Sequence, residues 1–218
     1  MTVKITKTKT LLLARLLPLF FIALAVPARA VVSPFIRAGV DFSKLNAIES
    51  LRSDETGWKD KLDGWDAGYF AEVGLKLLGS HSLGVEAGYV KAKDSAAGLE
   101  KEQIPLLLNY RCLFGLGPVS LFIGASAGMM SDRMGWREDV NSITHDLKDT
   151  NWVALYGATA GLGLKLGKHW GVDVGVRALA VNEKEYQDGG LPGAENYKIG
   201  KSEVYIRPNV RVAISCHW

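Results

Sequence analysis

The 218-residue sequence predicts an all-β fold, an eight-stranded antiparallel transmembrane up-and-down β-barrel. Three observations predict it. Eight segments of roughly ten to fifteen residues alternate apolar and polar positions, and a strand sends alternate side chains to opposite faces. The connections between them run long, short, long, short, long, short, long, as expected of a barrel with short turns at one end and loops at the other. The last segment, 204–218, sets Val204, Ile206, Val210, Val212, Ile214 and Trp218 on one face against Arg207, Asn209, Arg211, Ser215 and His217 on the other. A helical reading fails, because glycine recurs about every second or fourth position, where it would weaken a helix.

Residues 1–30 read as a secretory signal that is removed. Lys4, Lys7, Lys9 and Arg15 precede an apolar core at 16–26, and Ala28-Arg29-Ala30 forms the cleavage site. That core is broken by Pro18, closed by Pro27 and shorter than the about 20 residues of a spanning helix. The remaining domain, 31–218, holds 21 basic and 23 acidic residues, so the basic balance of the full chain belongs to the signal and gives no case for nucleic acid. Cys112 and Cys216 fall on apolar strand faces, where a free cysteine behaves as a small hydrophobe; a disulfide in an oxidising compartment is the alternative.

In chain order, the first strand is expected at 33–45, with Ile36, Ala38, Val40 and Phe42 opposed to Arg37, Gly39, Asp41 and Ser43. A polar loop spans 46–64. The second strand, 65–78, opposes Tyr69, Val73 and Leu75 to Glu72, Gly74 and Lys76, and a tight turn at 79–82 leads to the third, 83–92, with Val85 and Tyr89 against Glu86. After a loop at 93–102, the fourth strand, 103–114, sets Leu106, Leu108 and Tyr110 against Asn109 and Arg111; Pro105 is tolerable near its start. The fifth strand is 119–130, followed by a charged loop at 131–151. The sixth, 152–166, runs from Trp152 with Lys165 on its polar face; the seventh, 170–181, runs from Trp170 with Asp173 and Arg177 on its polar face. A last loop, 182–201, enters the closing strand.

Alternation alone does not say which face is inside, since a soluble lipocalin-like barrel alternates with the opposite polarity. Two features select the membrane. The apolar columns carry no charge, and an arginine facing mid-bilayer lipid would cost about 2–4 kcal/mol. Tyr69, Tyr89, Tyr110, Trp152 and Trp170 stand near strand ends on that face, as interfacial anchors do. The polar face mixes small glycines with Arg37, Asp41, Glu72, Lys76, Glu86, Arg111, Lys165, Asp173, Arg177, Arg207 and Arg211. An eight-stranded barrel is just wide enough for side chains to fill, so these charges are expected to form an interior ion-pair network; a narrow, anion-preferring pore is the alternative.

The segment 103–111, QIPLLLNYR, is similar to the fourth strand of the small eight-stranded outer-membrane barrels typified by OmpA and OmpX. The glycine-rich stretch from Gly157, continuing through Lys168, His169 and Trp170, resembles their sixth strand, turn and seventh strand. The terminal Trp218, with Ile214 and Val212 behind it, resembles the closing strand that the barrel-assembly machinery reads. The resemblance implies a monomer in the lipid of the bacterial outer membrane, with a structural or surface-interaction role through four extracellular loops, or alternatively a porin-like channel for small solutes. An extracellular ligand would be met by loops 46–64, 131–151 and 182–201. No catalytic, cofactor or metal site is expected. His81-Ser82 and Ser215/His217 fall at the short-turn end, His145-Asp146 is a chance-level loop pair, and the four histidines and two cysteines lack metal-ligand spacing.

Overall fold

The computed structural model describes residues 32–44, 65–94, 99–140, 143–182, 186–187, 198–199 and 204–218. Its long strands are β1 (Val32–Lys44), β2 (Trp65–Leu77), β3 (His81–Asp94), β4 (Leu99–Leu116), β5 (Val119–Val140), β6 (Ile143–Leu166), β7 (Trp170–Asn182) and β10 (Val204–His217). The two-residue β8 (Tyr186–Gln187) and β9 (Lys198–Ile199) pair only with each other. Each long strand lies antiparallel to its neighbour in the chain, and β1 pairs with β10 from Phe35↔His217 to Ser43↔Asn209, which closes the barrel. Closure leaves no free edge through that span.

The polarity is settled by burial. Ile36, Val73, Leu106, Ile123, Leu162, Val176 and Ile214 point outward and are exposed, while the alternate positions are buried in the lumen. The cylinder is therefore apolar outside, the reverse of a soluble ligand-binding cup.

The three turns at one end are tight. Ser80 N–H donates to Leu77 O at 3.2 Å, with Leu78 and Gly79 at φ 53° and 71°, the left-handed pair of a two-residue hairpin turn. His81 and Ser82, expected in that turn, already belong to β3. At the other end the expected loops are shorter than the sequence suggests. Residues 93–102 are mostly strand, because β3 and β4 stay paired up to Asp94↔Leu99. The expected loop 131–151 is a hairpin continuing β5 and β6 to Val140↔Ile143. Charged residues replace apolar ones there, which hides the strand from a reader of amphipathic pattern, yet the cross-strand ladder continues. The signal segment 1–30 with Ala28 and Ala30, and loop 46–64, lie outside the described residues, as does most of 182–201.

Candidate functional site

The site is the lumen itself. Strand alternation delivers Arg37 and Asp41 from β1, Glu72 from β2, Glu86 from β3, Arg111 from β4, Asp173 and Arg177 from β7 and Arg211 from β10. Register brings two carboxylates face to face, since Glu72 lies directly across from Glu86. Like charges so placed repel, and each is neutralised by two guanidiniums. Glu72 receives Arg37 at 2.8 Å and Arg111 at 3.2 Å; Glu86 receives Arg177 at 2.8 Å and Arg211 at 3.0 Å. Asp41 holds Arg177 at 2.9 Å and Arg211 at 2.6 Å, and Asp173 holds Arg37 at 2.7 Å. Asn109 donates to Glu86 at 2.8 Å and is itself fixed by Ser126, which donates to Asn109 Oδ1 at 2.7 Å. Four guanidiniums meet four carboxylates, so this central cluster is neutral. That balance, with hydrogen bonds to the charges, is what makes burial of ions tolerable.

Three phenylalanines brace it. Arg211 stacks over Phe70 at 3.7 Å, Arg37 over Phe35 at 5.0 Å and Arg111 over Phe122 at 5.2 Å from the ring centre. Glycine makes room for them: a Cβ on Gly74 would lie 2.7 Å from the Phe35 ring, and one on Gly175 would lie 2.9 Å from Phe122. The cavity left beside the cluster is about 10 Å³, room for about one water.

Above the cluster the lumen is apolar, which the alternation did not reveal. Leu107, Met130, Val153, Leu155, Leu179 and Val181 form a fully buried layer. Over it lies a second polar layer, where Gln103 donates to Asp132 at 3.1 Å, Lys101 sits 3.4 Å from Asp132, and Arg207 donates to Gln103. Lys101 and Asp132 fall within the expected loops 93–102 and 131–151, yet both are fully buried. The expected single network of eleven charges is therefore divided. Eight form the central cluster, Arg207 belongs to the upper layer, and Lys76 and Lys165 stand at the open mouth with no carboxylate at ion-pair distance among the described residues. The strand ends leave the mouth open to water, so lysines there need no buried partner.

The family model for the outer membrane protein β-barrel domain matches residues 16–204. The chain belongs to that family. Among solved structures the barrel is similar to Neisserial surface protein A, at 11% identity over 87% of this chain and 99% of that one, with a TM-score of 0.49. It is similar also to the outer-membrane protein OprH of Pseudomonas aeruginosa, at 18% identity over 85% and 99%, with a TM-score of 0.46. The N-terminal barrel of OprF from the same organism covers 85% of this chain and 97% of its own, at 12% identity and a TM-score of 0.42. No curated protein sequence matches the chain. It is a protein of the bacterial outer membrane.

In such outer-membrane barrels the short turns face the periplasm. Tyr69, Tyr89 and Trp152 then stand exposed toward the outer leaflet, with Trp65 beside them, and Tyr110, Trp170 and Trp218 toward the inner one. Tyr69 and Tyr89 face each other directly across β2 and β3. Just above them the outer surface becomes ionic, with Lys91 and Glu100 paired at 2.8 Å and Arg133 and Glu102 at 3.6 Å. That change marks where hydrocarbon ends, because unscreened charge is costly below it. Val212 and Ile214 of the closing strand are exposed to lipid, and Trp218 N–H ties back to Pro34 O at 3.2 Å. Cys112 and Cys216 are free, on strands that are not neighbours.

The histidines fall in ordinary surroundings. His81 Nδ1 lies 2.8 Å from the Tyr110 hydroxyl, and His169 Nδ1 lies 2.9 Å from the His217 carbonyl. Ser82 and Ser215 are buried in the lumen wall. Among the described residues no group of three or more His, Cys, Asp and Glu could hold a metal ion.

Proposed function

We propose that the protein is a non-conducting membrane barrel that carries its extracellular loops and the β5–β6 hairpin at the cell surface, in a structural or surface-interaction role. One observation carries the reading: the lumen is filled by a neutral salt-bridge cluster with a fully buried apolar layer stacked on it. An ion crossing would have to displace paired guanidiniums and then pass hydrocarbon side chains, and both steps are costly. The filled centre of the lumen denies a solute passage, and the surface parts are left to meet extracellular partners. The extended hairpin supports the same reading, since it carries a sheet well beyond the apolar belt, where lipid contact does not require it. The test is conductance of the purified barrel in planar bilayers. The expected record shows no steady single-channel steps; a reproducible step would replace this reading with a narrow channel. Binding of the intact barrel to host cells or matrix, compared with a variant shortened across 136–148, then tests the surface role.

A further inference from the structure

The periplasmic mouth of the barrel holds a vestibule of about 340 Å³, at the lower end of the about 300–1,000 Å³ typical of small-ligand sites. Its cationic lining is Lys76 from β2, Lys165 from β6, Lys168 from the turn before β7, and Arg37 at its inner end. Asp173 is the only carboxylate side chain among its lining residues, and Arg37 already holds it at 2.7 Å. Asp173 is near enough to act on Lys76 as well, but none of the three lysines forms an ion pair among the described residues, in a molecule whose central cluster balances every guanidinium against a carboxylate. Lysine ammoniums that converge on one concave space repel one another, and an anion placed between them removes that repulsion. Ser33, Ser120 and Ser215 add neutral hydroxyls around the same space.

We propose that this vestibule binds a phosphate group, with Lys76, Lys165 and Lys168 as its cationic ligands. Lysine suits this task as a mobile point charge with three donors. The phosphate can come from a free anion of the periplasm or from the headgroup of an inner-leaflet phospholipid. Trp170 and Trp218 line the vestibule and are also exposed to lipid, so a headgroup could enter with its chains outside the barrel. This site stands independently of the surface role, since it uses the opposite end of the barrel.

The test uses the refolded full barrel in a maltoside detergent, which carries no phosphate. Inorganic phosphate and a short-chain phosphatidylglycerol are titrated separately while the lysine side-chain amines and the His169 and His217 rings are followed by NMR. Saturable shifts are expected, falling with added salt, and binding about tenfold weaker or worse in K76Q/K165Q/K168Q. Shifts with both probes assign the phosphate group alone; shifts with the lipid only assign a headgroup site. Folding of the variant is checked by its migration on a gel before and after boiling. No saturable shift with either probe, or equal binding by the folded variant, overturns the proposal.

Discussion

At the scale of single residues, the cost of any change is set by whether it strands a charge. Glu86 is fully buried and accepts bonds from Arg177, Arg211 and Asn109. Glu86→Ala leaves two guanidiniums with only Asp41, and removing one partner from a buried ion cluster costs about 3–5 kcal/mol. Urea unfolding in lipid vesicles should register a loss of that order. Lys165 is exposed and forms no ion pair among the described residues, so Lys165→Ala should stay within about 0.5 kcal/mol in the same assay. Leu78 carries a different burden, a positive φ of 53° on a side chain that disfavours it. Leu78→Gly removes a steric penalty of about 1–2 kcal/mol and should raise the unfolding midpoint. A drop would mean that the Leu78 side chain is held by lipid more strongly than its backbone is strained.

At the scale of elements, each strand is asymmetric in what it tolerates. Val176 stands 58% exposed on the outer face of β7, between Ala160 of β6 and Val210 of β10. Val176→Arg should destabilise the folded barrel in vesicles by about 2–4 kcal/mol, whereas a soluble barrel would accept it at little cost. The β5–β6 hairpin behaves in the opposite way. β6 has 24 residues against 13 in β7, and the surplus reaches roughly 35 Å along the strand past its neighbour. Deleting 136–148 and rejoining the strands with a short turn should therefore leave a heat-modifiable barrel, read as a faster band before boiling. Loss of that band would show that the hairpin helps close the barrel.

At the scale of the whole molecule, closure and filling are one event. Arg37 and Asp173 are 136 positions apart, as are Asp41 and Arg177, and they meet only when β1 has joined β10. The β1–β2 hairpin can pair Arg37 with Glu72, but no local hairpin brings Asp41 or Asp173 to its guanidiniums, so an unclosed sheet exposes these carboxylates to hydrocarbon or leaves them in water. This favours a steep, all-or-none transition over gradual assembly, visible as coincident gel-shift and fluorescence unfolding curves. Separate midpoints would mean that the lumen forms after the wall.

The eight long strands and the lipid-facing register were legible in the sequence, because period-two alternation is a local property of the chain. Residues such as Ile123 and Arg111 declare their faces by their immediate neighbours alone. The β5–β6 hairpin was not legible, since beyond the membrane both faces are polar and alternation vanishes while the backbone ladder persists. Partnership was not legible either. Eleven charges fall on polar strand faces in the sequence, yet only register across strands places Glu72 opposite Glu86, divides the charges into layers and leaves Lys76 and Lys165 at the mouth without an ion pair among the described residues. The sequence alone determined the barrel and its polarity, which depend on short-range pattern. The tertiary structure decided which charges meet and what fills the lumen, because those contacts join residues far apart in the chain and exist only after closure.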